Sequence, residues 1–182
     1  KAVEGTFPIR FAFIRSTAGT NKLDQEFRQN WKNSKENGII RGAYHYYRPN
    51  ENSIEQANFF ISNVTLEKGD LPPILDIESL PKYQSIDSLK VGLKRWLTIV
   101  DAKFRLKPII YTNEKFYEDF LKDEFSEFQF WIANYNFFTE TMQDDWLFWQ
   151  FTEKASIAGI DGNVDVNLYN GSPKMLRYLT KP

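Results

Sequence analysis

Apolar residues along this chain fall into two rhythms. Phe11-Ala12-Phe13-Ile14-Arg15 is a short, almost unbroken apolar run and predicts a strand. The polar segment 23–37 after it, stopped by Gly38, predicts a helix. Gly42-Ala43-Tyr44-His45-Tyr46-Tyr47 predicts the next strand. Ser53-Ile54-Glu55-Gln56 has the form of a capping box, serine at the cap and glutamine three residues on, opening a helix to about residue 64. Leu71-Pro72-Pro73-Ile74-Leu75-Asp76-Ile77-Glu78 predicts a third strand. Over 85–104, Leu89, Leu93, Trp96, Leu97, Val100 and Phe104 recur on one helical face. Lys107-Pro108-Ile109-Ile110-Tyr111-Thr112 follows as a strand, and Asn113 is placed to cap a further helix to about residue 121. Unbroken rather than alternating apolar strands imply burial on both faces, so the alternation of strand and helix predicts a parallel sheet covered by helices.

The last third changes rhythm. Phe130-Trp131-Ile132-Ala133-Asn134-Tyr135, Leu147-Phe148-Trp149-Gln150-Phe151-Thr152 and Val164-Asp165-Val166-Asn167-Leu168-Tyr169 predict strands separated by only about a dozen residues, barely enough for a helical crossover. The second gap holds Gly159 and the turn pair Asp161-Gly162, which favours a hairpin. The expected sheet therefore begins as β/α repeats and closes with helix-poor strands. With no linker or repeat, residues 1–182 are expected to form one domain.

Composition narrows the chemistry. The chain has 182 residues, 42% hydrophobic and 16% aromatic, enough to bury a sizeable core. Its 23 basic and 24 acidic residues leave a net charge of −1, so nothing points to a nucleic-acid partner. No apolar run approaches the roughly 18 residues of a membrane helix, and the first residues lack the layout of a signal peptide. The absence of cysteine excludes disulfides, thiolate nucleophiles and cysteine-ligated zinc. The one histidine, His45, makes a zinc site improbable; Asp76, Glu78 and Asp165 leave a magnesium site open.

In a parallel β/α barrel the chemistry collects at the carboxyl ends of the strands. Asp76 and Glu78, at i and i+2, point to one face roughly 6 to 7 Å apart, with Ile77 turned into packing. Such a pair can divide its protonation, one acid ionised while its neighbour holds a proton near neutrality. The plainer alternative is an acidic pair that caps a helix or pairs with a basic side chain. Tyr111, Trp131, Tyr135, Trp149 and Gln150 also come late in their strands. Each aromatic alone is most simply core, but their convergence at one end suits a sugar, whose ring offers apolar faces and hydroxyl edges.

Taken in order, FAFIRSTAGT, Asp24 to Trp31 as D-x-x-F-x-x-N-W, GAYHYYRP, LPPILDIE, KPIIYT, FWIANY, WLFWQFT and GIDGNVDVN resemble the glycoside hydrolase family 25 lysozymes, the Chalaropsis-type muramidases. The resemblance implies an α/β fold of TIM-like, modified (β/α)5β3 type and cleavage of the β-1,4 bond between N-acetylmuramic acid and N-acetylglucosamine, without a cofactor. It implies Glu78 as general acid/base, Asp76 as the first carboxylate of the pair and Asp165 as the aspartate of the terminal strand. Tyr44, Tyr46, Tyr111, Trp131, Tyr135 and Gln150 fall on cleft-wall positions, and Arg48 and Pro49 on the loop after the YHYY strand. The partner is then peptidoglycan glycan, acted on by a monomer that is secreted or held at the envelope and of bacterial or phage origin. One departure stands out. The family's first strand, of type D-x-S-x-x-Q-G, has no counterpart, because Lys1-Ala2-Val3 resembles the helix that follows it. That first strand and its aspartate are expected to be missing. A carbohydrate-binding barrel that has lost its catalysis is the alternative this departure raises.

Overall fold

A computed structural model describes residues 8–136, 145–158 and 160–182. Its centre is one eight-stranded sheet. In chain order the strands are β1 (Phe11–Ala18), β2 (Lys22–Leu23), β3 (Ile40–Tyr46), β4 (Ile74–Asp76), β5 (Ile109–Asn113), β6 (Gln129–Ala133), β7 (Trp146–Ala155) and β8 (Val164–Tyr169). They lie in the order β2-β1-β3-β4-β5-β6-β7-β8. From β1 through β7 the large strands run parallel, while β8 returns antiparallel to β7 and β2 antiparallel to the end of β1. The hairpin expected of Asp161-Gly162 is present, with Gly162 at φ +91°; Gly159 lies outside the described residues.

The sheet is curled. Four strand spacings of about 4.8 Å separate β1 from β6 in a flat sheet, yet the Phe13 ring is 4.1 Å from that of Trp131. Curling divides the side chains into two sets by parity. Phe13, Tyr44, Ile74, Tyr111, Trp131 and Phe148 turn into the concave side. Ala43, Tyr47, Leu75, Ile77, Ile110 and Ile132 turn outward against the helices. Both faces are apolar, which is why the strands read as unbroken runs.

The helices are α1 (Phe27–Glu36), α2 (Ser53–Asn63), α3 (Ile86–Phe104), α4 (Glu114–Phe116), continued by a π-helical turn over Tyr117–Leu121, and α5 (Pro173–Leu179). All six apolar positions predicted for one face of α3 are buried, and Ser85 accepts from the Ser88 N–H as its cap. Asn113 caps α4 through Phe116 N–H, as the sequence predicts. Three expectations change. The helix expected from residue 23 begins at Phe27, because Leu23 pairs with Thr17 in β2. The cap of α2 is Asn52, which accepts from Ile54 and Glu55 N–H. Ser53 is therefore the first helical residue, and the Gln56 side chain, instead of closing a capping box, is buried in the loop before the helix. The strand expected over 71–78 is only Ile74–Asp76, so Glu78 stands on the loop just past it.

Along Phe11 to Arg15, β1 has no strand on its outer side among the described residues, and β8 is the opposite edge. The space between these edges opens into the largest cavity described below. Lys1-Ala2-Val3 lies outside the described residues.

Candidate active site

The parallel ladder brings a row of inward-facing side chains to one level. Tyr46, Asp76, Tyr111 and Trp131 are successive partners across β3, β4, β5 and β6. A cavity of about 1120 Å³ opens there, walled by Tyr44, Tyr111, Trp131 and Gln150, with Asp76, Glu78 and Asp165 on its surface.

Asp76 is buried, while Glu78 is exposed at the mouth of the cavity. Burial pushes both carboxyls above their ordinary range, most strongly Asp76, and the Glu78 charge raises Asp76 further. The two side chains are in hydrogen-bond contact, closer than the separation expected of an ideal strand. Two carboxylates cannot donate to each other, so this contact is a hydrogen bond only when the pair holds a proton. Against the effect of burial, the Arg15 charge favours an ionised Asp76. The two acids therefore titrate as one unit. Across the cavity, burial and then the nearby Glu153 raise Asp165, whose charge in turn raises Glu78.

The aromatic wall is fixed by polar contacts. Trp131 Nε1 donates to Asn167 Oδ1 on β8 at 2.8 Å. Gln150 Nε2 donates to the Tyr135 hydroxyl at 2.8 Å. The Tyr111 and Trp131 rings are 4.2 Å apart. Burial, then the Glu78 and Asp76 charges, keep the Tyr111 hydroxyl protonated, and it is in hydrogen-bond contact with that of Tyr135.

Of the sequence-predicted residues, Asp76, Glu78, Asp165, Tyr44, Tyr111, Trp131 and Gln150 share the cavity, and Tyr135 joins them through Gln150. Tyr46 has the inward parity, opposite Asp76, but is not part of the cavity wall. Trp149 is a correction: it alternates with Phe148 and Gln150, so its ring turns outward against the helix-side core while Nε1 donates to Asn134 O at 2.7 Å. His45 likewise turns outward, fully buried against Trp96. Arg48 and Glu51 pair at 3.0 Å, and Glu51 accepts from Thr20 N–H, closing the loop after β3 onto the β1–β2 turn. Asp76, Glu78 and Asp165 are no metal-ligating cluster among the described residues.

Three residues escaped the sequence reading. Arg15 reaches the site from β1, held by Asp24 at 2.9 Å. Its signal was available, since it shares parity with Phe11 and Phe13. Glu153 is opposite Asp165 only because β7 outruns the predicted strand by three residues, and Asn167 depends on the β7–β8 pairing.

The sequence profile of Glycosyl hydrolases family 25 matches residues 3–160. The chain is similar to the uncharacterized protein YegX of Escherichia coli strain K12, 37% identical over 172 residues, which are 93% of this chain and 62% of that protein. It is similar to Lysozyme M1 of Streptomyces globisporus, 32% identical over 92% of this chain and 62% of that protein. The chain thus spans 62% of the length of these curated relatives. A family 25 glycosyl hydrolase from Bacillus anthracis superposes with a TM-score of 0.84 at 26% identity, covering 94% of this chain and 83% of that one.

Proposed function

From the premise that this chain belongs to glycosyl hydrolases family 25, we propose that it is a lysozyme-type hydrolase of peptidoglycan, cleaving the β-1,4 bond between N-acetylmuramic acid and N-acetylglucosamine. The observation that carries the reading is the close carboxyl pair Asp76–Glu78 at an aromatic-walled cavity that Asp165 also lines.

The contact between the two acids narrows the mechanism. Opposed-carboxylate schemes separate the two groups by about 5 Å or more, with the sugar between them; acids in hydrogen-bond contact leave no such space. The nucleophile then comes from the substrate. Its 2-acetamido oxygen attacks the anomeric carbon, the glycosidic C–O bond breaks, and Glu78 gives its proton to the departing oxygen. Asp76, as carboxylate, accepts from the acetamido N–H and stabilises the oxazolinium-like intermediate. Docking that N–H favours an ionised Asp76, so the proton of the pair is held on Glu78 when the substrate is seated. Glu78, now a carboxylate, takes a proton from the water that opens the intermediate, with retention at the anomeric carbon. Asp165, across the cleft, is the second reading for the nucleophile.

All the residues this scheme uses lie in one copy of the chain, so a monomer, one catalytic domain over residues 1–182, suffices, and neither metal nor cofactor enters a step. The substrate places the protein outside the cytoplasm or in the envelope; no described helix is long and apolar enough to cross a membrane. Among the described residues β1 over Phe11–Arg15 and β8 are unpaired on their outer sides, which supports (β/α)5β3 closure by one further strand.

The test is Glu78→Gln. A neutral amide cannot donate the proton, so release of reducing ends from purified peptidoglycan falls by about a hundredfold or more while the melting curve stays cooperative. A folded variant with near-normal turnover overturns the assignment. Wild-type protein that binds glycan strands without cleaving them establishes instead the non-catalytic carbohydrate-binding alternative.

A further inference from the structure

The mechanism gives no task to the basic groups at the cleft, Arg10 on the cavity lining and Arg15, whose charge acts on Asp76. Arg15 is on β1 at the point where the β1–β3 ladder shifts register, between Arg15 and Thr17. Shifts of this kind re-aim a side chain. Its parity is that of Phe11 and Phe13, which line the cavity, and its charge acts on Tyr44 and Asp76. Asp24 holds it from the far side: the carboxylate takes Nε alone, at 2.9 Å, and is itself fixed by Glu26 N–H on its other oxygen and by its own N–H to Ser16 O. The guanidinium is thus oriented, half-exposed, and makes no hydrogen bond through its two Nη groups among the described residues. A guanidinium steadied on one edge with its end left open is pre-organised for a carboxylate, which it binds through two parallel N–H bonds.

The surrounding charge makes this consequential. Around the cavity the acids Asp76, Glu78, Asp165 and Glu153 outnumber Arg10 and Arg15, so the local field disfavours an anionic substrate that finds no basic partner. Peptidoglycan carries carboxylates, and near the scissile bond they are on the lactyl ether at O3 of the muramic residue. In peptide-free glycan this is the lactyl carboxylate itself; in peptide-bearing glycan it is the first free carboxylate of the attached peptide.

We propose that Arg15, steadied by Asp24, is a specificity-determining subsite that binds the carboxylate carried on the lactyl arm of a muramoyl residue. The proposal rests on the peptidoglycan reading above. It separates muramoyl glycan from chitin-like glycan, which has the same backbone and no arm.

The experiment measures binding in the Glu78→Gln background, so turnover plays no part, with Trp131 in the cavity wall as a fluorescence reporter. Four probes are titrated: a peptide-free muramoyl tetrasaccharide, the same compound with its lactyl carboxyl converted to the neutral methylamide, a peptide-bearing muropeptide, and chitotetraose. Adding Arg15→Met weakens the carboxylate-bearing probes about tenfold or more and leaves the methylamide and chitotetraose within about twofold. Loss on the peptide-free probe assigns the lactyl carboxylate; loss on the muropeptide alone assigns the peptide's. Arg15→Lys, which keeps the cation without the fork, shows the same order with a smaller loss and serves if the methionine variant melts early. Equal loss on all four probes assigns Arg15 to Asp76 alone and overturns the subsite, as does no loss on any. These outcomes are read apart from hydrolysis. Failure of the parent chain to release reducing ends counts against the enzyme reading, whereas the ratio between charged and neutral probes counts only for or against Arg15.

Discussion

His45 gives this fold a calculable weakness to acid. Its position defines its tautomer. Gln56 Nε2 donates to the Arg48 and Glu51 carbonyls and its Oε1 accepts from Arg48 N–H, so the orientation of the amide is fixed. That oxygen, 3.2 Å from His45 Nε2, must accept from it. Nε2 therefore carries the proton, and Nδ1 accepts from the Thr17 hydroxyl at 2.8 Å. A second proton has no acceptor at Nδ1 unless Thr17 turns, and the ring is buried on Trp96. Burial lowers the pKa from 6.5 to about 4. The unfolded chain binds the proton below about 6.5 and the folded protein only below about 4, so stability is lost as pH falls through that window and this group costs nothing further beneath it. At about 1.4 kcal/mol per tenfold in proton affinity, the loss is about 3 kcal/mol. Urea unfolding from pH 8 to pH 4 measures it for the wild type and for His45→Gln, which can keep both hydrogen bonds but does not titrate. Carboxylates elsewhere contribute equally to both curves, so the difference in slope belongs to His45. Parallel curves between pH 6.5 and 4 refute the reasoning.

Three other outcomes follow from single contacts. Asp70→Ala leaves the buried Arg41 guanidinium, now held by Asp70 at 2.7 Å, without its main counter-charge, and a loss of about 3–5 kcal/mol is expected in urea titration. A Cβ at Gly92 meets the buried Tyr47 hydroxyl at 2.6 Å, so Gly92→Ala lowers the melting temperature by the equivalent of about 1–3 kcal/mol; Tyr47→Phe in the same chain, by removing that oxygen, recovers most of it. On the proposed mechanism the raised Asp76–Glu78 pair must hold one proton, so kcat/KM falls as pH rises through the raised range. Asp165→Asn removes a charge that raises Glu78, and the alkaline limb of residual activity moves to lower pH.

Much of this protein was determined by local pattern. The unbroken runs at Ile74–Asp76 and Ile109–Asn113, the six-residue face of α3 and the caps at Ser85 and Asn113 are set by periodicity and by which side chains satisfy free N–H groups, so they are legible without partners. The chemical identity of the site was equally legible, because D-x-E fixes two acids near the end of one strand. Tertiary structure decided what depends on neighbours distant in sequence. Asn52 displaced Ser53 as cap because Gln56 was needed to tie the loop to His45. The contact between Asp76 and Glu78 was not legible, since β4 ends at Asp76 and Glu78 lies beyond the bond from Ile77 N–H to Tyr111 O, off the regular strand. The parity of β7, which puts Gln150 in the cleft and Trp149 outside it, follows from its register with β6, and a one-residue slip would exchange them. Phe13 meets Trp131 only because curling carries β1 round to face β6, which brings the parity row that Arg15 shares to the cavity of the acids. Sequence period sets which side chains share a face; which face becomes the site is decided only when the sheet closes around it.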